Sequence, residues 1–167
     1  MILTRKVILK QIEKKKLKIK PFKKSNVGPG SIDLTLDNKF RVFKKRKKTL
    51  NIGERTDYKK HTKKLVTDSI ELKPGEVVLG ITKEKLELPK NLCGWLQGRS
   101  RFARLGLSVH ITASFVHPGS KNKQVLEIIN MNNFPVKIKA GTKIVQLILE
   151  ETEGEAELKG RFVNQKL

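Results

Sequence analysis

The sequence predicts an all-β domain, a sandwich or barrel of short strands, with one short helix in front of it. From Ile70 onward, short apolar segments recur between turn signals, as expected for strands joined by tight connections. Residues 31–43 alternate between apolar and polar side chains, the two-residue period of a strand with one buried face. After residue 15, no segment has the length and period of an ordinary helix, although residues 101–105 could form one turn.

The N-terminal helix is predicted from Thr4 to about Lys14. Thr4 belongs to the residue types that favour a helix N-cap, and Val7, Ile8 and Ile12 recur at helical spacing. One face of this helix should therefore pack on the β domain.

The strands are predicted in chain order from residue 31. In the first strand Ile32, Leu34 and Leu36 share one side, and residues 26–30 form a turn ahead of it. Residues 44–67 are polar, lysine-rich and weakly patterned, which predicts a loop, called the excursion below. The later strand segments are 70–82, 92–100, 107–116, 124–131, 134–144 and 145–152, with turns at Pro74-Gly75, Pro118-Gly119, Asn132-Asn133 and Ala140-Gly141. We predict a single domain over residues 1–167, ending in a polar, flexible tail at 152–167.

The charge balance is strongly basic. There are 37 Lys and Arg residues against 16 Asp and Glu, a formal net charge of +21. Such a balance favours anionic partners such as nucleic acid, phosphates or an acidic membrane surface. Much of it lies in lysine-rich runs at 14–24, 44–48 and 59–64, which we interpret as solvated surface, because such runs are most often exposed faces. Aromatic residues for base stacking make up only 5% of the chain.

Cysteine usage and apolar runs bear on the compartment. Cys93 is the sole cysteine, so no intramolecular disulfide can form and there is no cysteine framework for a metal. The first eleven residues are too charged for a signal peptide, and no apolar run reaches membrane-spanning length. We expect a soluble, cytoplasmic protein without a membrane partner.

Residues 98–106, GRSRFARLG, form what we call the basic segment. It carries Arg99, Ser100, Arg101 and Arg104 between flanking glycines. Arginine forks and backbone N–H groups suit a polyphosphate, and glycine allows close approach of the backbone. The alternative is an exposed basic turn.

Histidine and cysteine give no sign of a zinc centre. Residues 109–119 predict a strand with His110 and Thr112 on one face and Ala113 on the other. A lone histidine is more often a hydrogen-bonded structural residue than a ligand. The His-x-Glu and Pro-Cys-x-x-Cys pattern of zinc deaminases is absent, so any deamination here would proceed without zinc.

Glu127 stands out within the apolar strand 124–131. A carboxylate buried there needs a partner or a function, because an unpaired buried charge is costly. Val125 shares its face, whereas Leu126 and Ile128 lie on the other, so this is not a simple polar outer face. Glu127 is therefore a candidate general base, although it could also just face solvent.

The order GRSRFARLG, HITA, PG and VLEIIN, with its spacing, resembles the dCTP deaminase / dUTPase family. The resemblance extends back through GSIDLTLDNKF and forward through IKAGTKIVQLILEE to KGRFVNQ, and it is weakest over 44–67. It implies a dUTPase-like distorted β-barrel or jelly roll, with a short N-terminal helix and a C-terminal tail that closes as a lid. It also implies a homotrimer with active sites shared between subunits.

The resemblance implies deamination of dCTP to dUTP with four catalytic residues: Glu127, Arg104, Ser100 and Ala113. Glu127 would take a proton from a water that Ser100 and the Ala113 carbonyl hold, and Arg104 would orient the carboxylate. The wider set of implied nucleotide contacts is Arg99, Ser100, Arg101, Phe102, Ala103, Arg104, His117, Val125, Leu126, Glu127, Gln146, Arg161 and Gln165. Mg²⁺ would arrive with the triphosphate, and Phe162 would anchor the lid.

Several positions depart from the family pattern. His117 stands where the family usually carries an aspartate before Pro-Gly, which weakens a dUTP diphosphatase or a bifunctional, dUMP-forming activity more than the deaminase. Leu158 replaces a tail tyrosine, and Ser120 replaces a tryptophan. The alternatives are therefore a diphosphatase or bifunctional enzyme and, from another class, a non-catalytic protein that binds nucleotides or nucleic acid.

Overall fold

The computed structural model describes residues 1–110, 112–159 and 167. Eleven strands account for most of the regular secondary structure in that part of the chain: β1 (Lys18–Lys20), β2 (Ile32–Phe43), β3 (Thr62–Val66), β4 (Ser69–Leu72), β5 (Val77–Glu87), β6 (Leu92–Gly98), β7 (Leu107–Val109), β8 (Phe115–Val116), β9 (Lys121–Asn130), β10 (Val136–Lys139) and β11 (Lys143–Glu151). The helices are short: α1 (Arg5–Glu13), α2 (Tyr58–His61), α3 (Ser100–Ala103) and a 3-10 turn at Lys24–Asn26. The all-β prediction is confirmed.

One sheet of nine strands forms the body of the molecule. Its path runs β7-β9-β5-β2-β11-β6-β8, with β1 beside β5 and β3 beside β2, while β10 and β4 form a separate pair. The pairings within the described residues are all antiparallel. The sheet curls until strands near opposite ends of this path meet. A methyl group built on Gly98 of β6 would lie 3.4 Å from the carbonyl oxygen of Val109 on β7. The result is the distorted barrel that the resemblance implies.

The core lies inside this curl. Ile32, Leu34 and Leu36 of β2 are at most 1% exposed, as their alternation predicts, and Leu126 and Ile128 of β9 are fully buried. Helix α1 packs on the core through Ile8, which is also fully buried. Its N-cap is Thr4, as predicted, although the Thr4 hydroxyl makes no capping hydrogen bond. Val7 points outward, so that part of the prediction for the helix was wrong.

A second, smaller apolar cluster lies on the outer face of the sheet. It consists of Leu79, Ile81 and Val125, with Tyr58 and Leu167 packed against it. We call it the outer cluster. It matters for function because Glu127 is the cross-strand partner of Leu79 and shares its sheet face with Val125.

The excursion is more ordered than its weak pattern predicts. Residues 62–66 form β3, which pairs with β2, and residues 58–61 form the helical turn α2. Asp57 accepts a hydrogen bond from the backbone N–H of Lys59 and so caps this turn. The alternation that identifies other strands is missing from β3, because four of its five residues are exposed.

One further strand prediction was wrong in detail, and the first residues of the predicted tail make contacts with the body. Residues 107–116 do not form one strand, because β7 ends at Val109 and β8 covers only Phe115–Val116. The start of the predicted tail is docked on the body: the N–H of Leu158 donates to the carbonyl of Pro118, and Lys90 pairs with Glu157 at 2.9 Å. None of the helices in the described residues is long and apolar enough to cross a membrane.

Candidate functional site

Glu127 is held in place by His110. The two residues share a backbone hydrogen bond, from the N–H of His110 to the carbonyl of Glu127 at 2.8 Å. Their side chains meet as well, with Nδ1 of His110 2.7 Å from Oε2 of Glu127. A carboxylate can only accept, so the proton lies on Nδ1. Glu127 therefore has one oxygen fixed by a nearly buried imidazole, and its side chain remains 35% exposed to solvent.

This contact keeps Glu127 ionised. Burial raises the pKa of the Glu127 carboxyl, but the hydrogen bond and the charge of His110 outweigh burial and hold the pKa below its usual value. A carboxylate that is ionised near neutral pH and still reaches solvent can accept a proton from a water molecule. The Glu127–His110 pair thus has the geometry and the charge that a general base requires.

His110 adopts an unusual backbone conformation to make this contact. Its φ is 53°, in the left-handed region that histidine visits more readily than most residues other than glycine. The chain leaves β7 at this point, which turns the ring back over β9. Sequence reasoning named His110 but gave it no role, because the turn that brings it to Glu127 cannot be read from a strand-like pattern.

The neighbours of Glu127 on β9 divide between the two faces. Val125 lies in the outer cluster on the same side as Glu127, as the alternation predicts. The side chain of Leu126 is fully buried in the main core, so it cannot touch a nucleotide on the Glu127 face. The predicted contact of Leu126 can involve only its main chain.

The basic segment has a different construction. Helix α3 begins at Ser100, and the half-buried ring of Phe102 anchors it to the core. Ser100, Arg101, Ala103 and Arg104 are all exposed. Gly106 closes the turn at φ 70°, where a Cβ would collide with the side chain of Asn132. Three hydroxyl or guanidinium groups are thereby presented to solvent from one turn of helix.

Arg99 is built into the sheet instead. Its guanidinium pairs with Asp33 at 3.2 Å and donates to the carbonyl of Lys143 at 2.9 Å. Gln146 is the cross-strand partner of Asp33, and its Oε1 accepts a hydrogen bond of 3.0 Å from the hydroxyl of Ser31. Sequence reasoning missed Asp33 and Ser31, which orient two of the predicted phosphate contacts.

The structure does not bring Arg104 to Glu127. Among the described residues, no hydrogen bond or ion pair joins their side chains, and the ion-pair partner of Glu127 is His110. Within one chain, orientation of the carboxylate therefore falls to the imidazole and not to Arg104.

The remaining predicted site residues lie in connections. Ala113 is exposed in a bend between β7 and β8, so its predicted place on a strand face was wrong. The exposed ring of His117 meets Phe115 edge-on, with centroids 4.8 Å apart. Arg161, Phe162 and Gln165 lie outside the described residues.

Metal-binding side chains do not gather in the described part of the chain. It contains no group of three or more His, Cys, Asp or Glu residues that could hold an ion. Cys93 is buried on β6, where burial and then the nearby charge of Glu150 raise the pKa of its thiol.

Comparison with known proteins gives the family. A sequence model of dCTP deaminase-like domains matches residues 2–152. The chain belongs to the dCTP deaminase-like family. It is 34% identical over 164 residues to a protein of Methanopyrus kandleri named dCTP deaminase, dUMP-forming, covering 93% of this chain and 84% of that protein.

Other relatives carry similar names. A Mycolicibacterium vanbaalenii protein, also named dCTP deaminase, dUMP-forming, is 38% identical, with 94% of this chain and 84% of that protein covered. A Marinomonas protein named dCTP deaminase is 37% identical, with 90% and 83% covered.

Solved structures agree on the fold. The crystal structure of 2'-deoxycytidine 5'-triphosphate deaminase from Agrobacterium tumefaciens matches with a TM-score of 0.69 at 22% identity. The match covers 89% of this chain but 47% of that one, so this chain corresponds to about half of the Agrobacterium protein. A Staphylococcus bacteriophage 80alpha dUTPase matches with a TM-score of 0.53 at 15% identity, covering 87% of this chain and 95% of that one. The dUTPase-like fold is confirmed.

Proposed function

We propose that this protein deaminates dCTP hydrolytically, giving dUTP and ammonia for deoxynucleotide metabolism. The observation that carries the proposal is the Glu127–His110 pair, an ionised carboxylate that a buried imidazole fixes on the outer sheet face. Sequence similarity also supports the proposal, because this chain is 34–39% identical to relatives that are named dCTP deaminases.

The chemistry needs one water and one base. Glu127 removes a proton from the water while the oxygen of that water bonds to C4 of the cytosine ring, which gives a tetrahedral centre. Glu127 then passes a proton to the amino nitrogen, the C4–N bond breaks and ammonia leaves. Ser100 and the carbonyl of Ala113 would hold the water, roles that come from the family resemblance.

Arg104 would complete the site from a neighbouring subunit. An arginine beside the carboxylate is needed to stabilise charge as the water is deprotonated, and the described part of the chain places none in contact with it. Ser100 and Arg104 are exposed on one turn, as expected of groups that face another molecule. We therefore propose a homotrimer in which the basic segment of one subunit meets the Glu127–His110 pair of the next.

The triphosphate would bind along the basic segment. Arg99 is held at a fixed angle by Asp33 and Lys143, which suits a fork that grips phosphate oxygens. Ser100, Arg101 and the backbone N–H groups of Phe102 and Ala103 would add contacts, and Gln146 would support them. Mg²⁺ is part of the substrate, bound to the triphosphate. Arg161 and Gln165 of the tail remain predicted contacts.

A second candidate is a bifunctional enzyme that forms dUMP. The names of several relatives favour it, including those from Methanopyrus and Mycolicibacterium. His117 argues against it, because members of the family usually carry an aspartate at this position before Pro-Gly. The non-catalytic alternative is disfavoured, because Glu127 and Arg104 are both present in a chain of this family.

Product analysis tests the proposal. The protein is incubated with dCTP and Mg²⁺, and separately with dUTP and Mg²⁺, and nucleotides are separated by chromatography while ammonia is assayed. Formation of dUTP and ammonia from dCTP, with dUTP left intact, supports the deaminase. Appearance of dUMP and pyrophosphate would establish the bifunctional, dUMP-forming enzyme. Ammonia release that persists in Glu127→Gln would refute the assigned base.

A further inference from the structure

The excursion carries an unusual concentration of positive charge. Residues 44–67 contain ten lysines and arginines against two acidic residues, Glu54 and Asp57. All ten cationic side chains belong to exposed residues: Lys44, Lys45, Arg46, Lys47, Lys48, Arg55, Lys59, Lys60, Lys63 and Lys64. The proposed deaminase site uses none of them.

The fold holds the two lysine-rich runs of the excursion side by side. The N–H of Lys44 donates to the carbonyl of His61 at 2.9 Å, and Nζ of Lys44 donates to the carbonyl of Lys60 at 3.0 Å. Nη1 of Arg46 lies 2.9 Å from Nδ1 of His61. Pairing of β3 with β2 then fixes Lys63 opposite Val42. The two runs therefore form one basic surface around Lys44, Arg46 and Lys60, and not a string along a free loop.

The described part of the chain does not neutralise this surface. Among the described residues, no ion pair joins any of the ten cations to a carboxylate. Like charges within about 8 Å, the screening length at 0.15 M salt, repel one another. A patch that is held together in spite of its own repulsion suits a partner with many regularly spaced negative charges.

The aromatic content of the excursion selects among such partners. Tyr58 is its one Phe, Tyr or Trp residue, and the Arg41 guanidinium and Lys59 ammonium lie 5.7 Å and 6.0 Å from the ring centroid. Proteins that bind single strands stack bases on accessible rings, and this ring already contacts two cations of its own chain. Backbone contact with a duplex needs only lysines and arginines.

We propose that the excursion is a docking surface for duplex nucleic acid, which it contacts through the sugar–phosphate backbone without reading sequence. Lysine ammonium groups are point charges on flexible stems, which suits contact with phosphates at many registers. The surface would tether the enzyme to a polyanion without taking part in deamination.

The test compares two triple variants with the same change in charge. K45Q/K47Q/K60Q neutralises three excursion lysines whose ammonium groups make no bond in the described structure, and K6Q/K10Q/K14Q neutralises three exposed lysines on or beside α1. Binding of a fluorescent 24-base-pair DNA duplex is followed by anisotropy from 0.05 to 0.3 M salt. Parallel arms use the single strand, an RNA duplex and phosphatidylserine vesicles, and turnover of dCTP is measured for each variant.

The expected result is duplex binding that weakens with salt. The slope of the logarithm of the binding constant against the logarithm of salt concentration should become about 3 less steep in the excursion variant, since each phosphate contact contributes about 0.9. Affinity at 0.15 M salt should fall more than about 10-fold, while the α1 variant and both turnover rates stay near wild type. Equal losses in the two variants would overturn the proposal by showing that only net charge matters. Tighter binding of the single strand, or vesicle binding with the same dependence on these lysines, would also overturn it.

Discussion

Glu127 and His110 lie on or beside paired strands and contact each other through both main chain and side chain. Ser100, Arg101 and Arg104 lie on one exposed turn of helix, fixed mainly by the ring of Phe102. One chain therefore holds the carboxylate of the proposed site in place by its own contacts, whereas most of the cationic side chains of the site are exposed to solvent. Under the proposed shared site, the base is preorganised and the charge-stabilising groups await substrate and a second subunit.

Arg99 marks the boundary between these two kinds of construction. It belongs to the basic segment by sequence, yet its guanidinium is held by Asp33 and by a carbonyl of β11. A guanidinium that already pairs with a carboxylate binds a phosphate less strongly. Binding also costs less side-chain entropy, because the side chain is already held in place. We therefore expect Arg99 to set the position of the triphosphate and Arg104 to act on the chemical step.

The largest effect should come from removing the base. Glu127→Gln keeps the shape of the side chain and its bond from His110 but removes the group that accepts the proton. We expect the rate of dUTP formation to fall by roughly 10²–10⁴-fold. Calorimetric binding of dCTP should change by no more than a few-fold, because the triphosphate contacts lie elsewhere. A parallel loss of binding would instead assign Glu127 a structural role.

The next effect tests whether the site is shared. Arg104→Ala should lower turnover by roughly 100-fold, the size of a lost charge-stabilising donor. Mixing it with Glu127→Gln under conditions that let subunits exchange should restore activity, because some interfaces then join an intact Glu127 to an intact Arg104. For random exchange of equal amounts, about a quarter of the interfaces are complete. No recovery, despite exchange proved by mass spectrometry, would rule out the shared site.

A smaller effect should follow from Arg99→Ala. We expect KM for dCTP to rise about 10-fold, the cost of one lost charged hydrogen-bonding group, while kcat changes little. Asp33→Asn is the matched comparison, because it keeps Arg99 but removes the anion that orients it. If Asp33 positions Arg99, this variant also raises KM, by less than Arg99→Ala. A lower KM would show that Asp33 only competes with the phosphates for Arg99.

Sequence patterns predicted the strand-rich part of the molecule well, for a physical reason. Strands with one buried face alternate, so β2 and β9 can be located from Ile32, Leu34, Leu36 and the surroundings of Glu127. Strand β3 was missed because its side chains are mostly exposed and carry no alternation. Its position depends on pairing with β2, a long-range contact that a local pattern does not encode.

For the candidate site, sequence patterns propose residues but do not give the contacts between them. Glu127 stood out because a carboxylate within an apolar strand needs an explanation. His110 as its partner depends on one left-handed residue, which ended a strand that the pattern alone would continue to Val116. Asp33 looked like an ordinary polar residue on the outward side of β2, and only the register of β2, β11 and β6 brings it to Arg99.

The smallest effect distinguishes the two members of the Glu127–His110 pair. His110→Asn is the suitable change, because asparagine also tolerates a positive φ and so preserves the turn after β7. Burial raises the pKa of Glu127 and His110 lowers it by more, so removing the imidazole should move this pKa upward. The base would then be protonated over a wider range on the acid side.

The pH profile of kcat/KM should show that shift. The acid limb of the His110→Asn profile should lie at higher pH than that of the wild type, with only a few-fold loss on the alkaline plateau, where Glu127 is ionised in both proteins. Titration of the substrate phosphates affects both enzymes equally and cancels in the comparison. A uniform loss at every pH, with the limb unmoved, would mean that His110 positions Glu127 without tuning its charge.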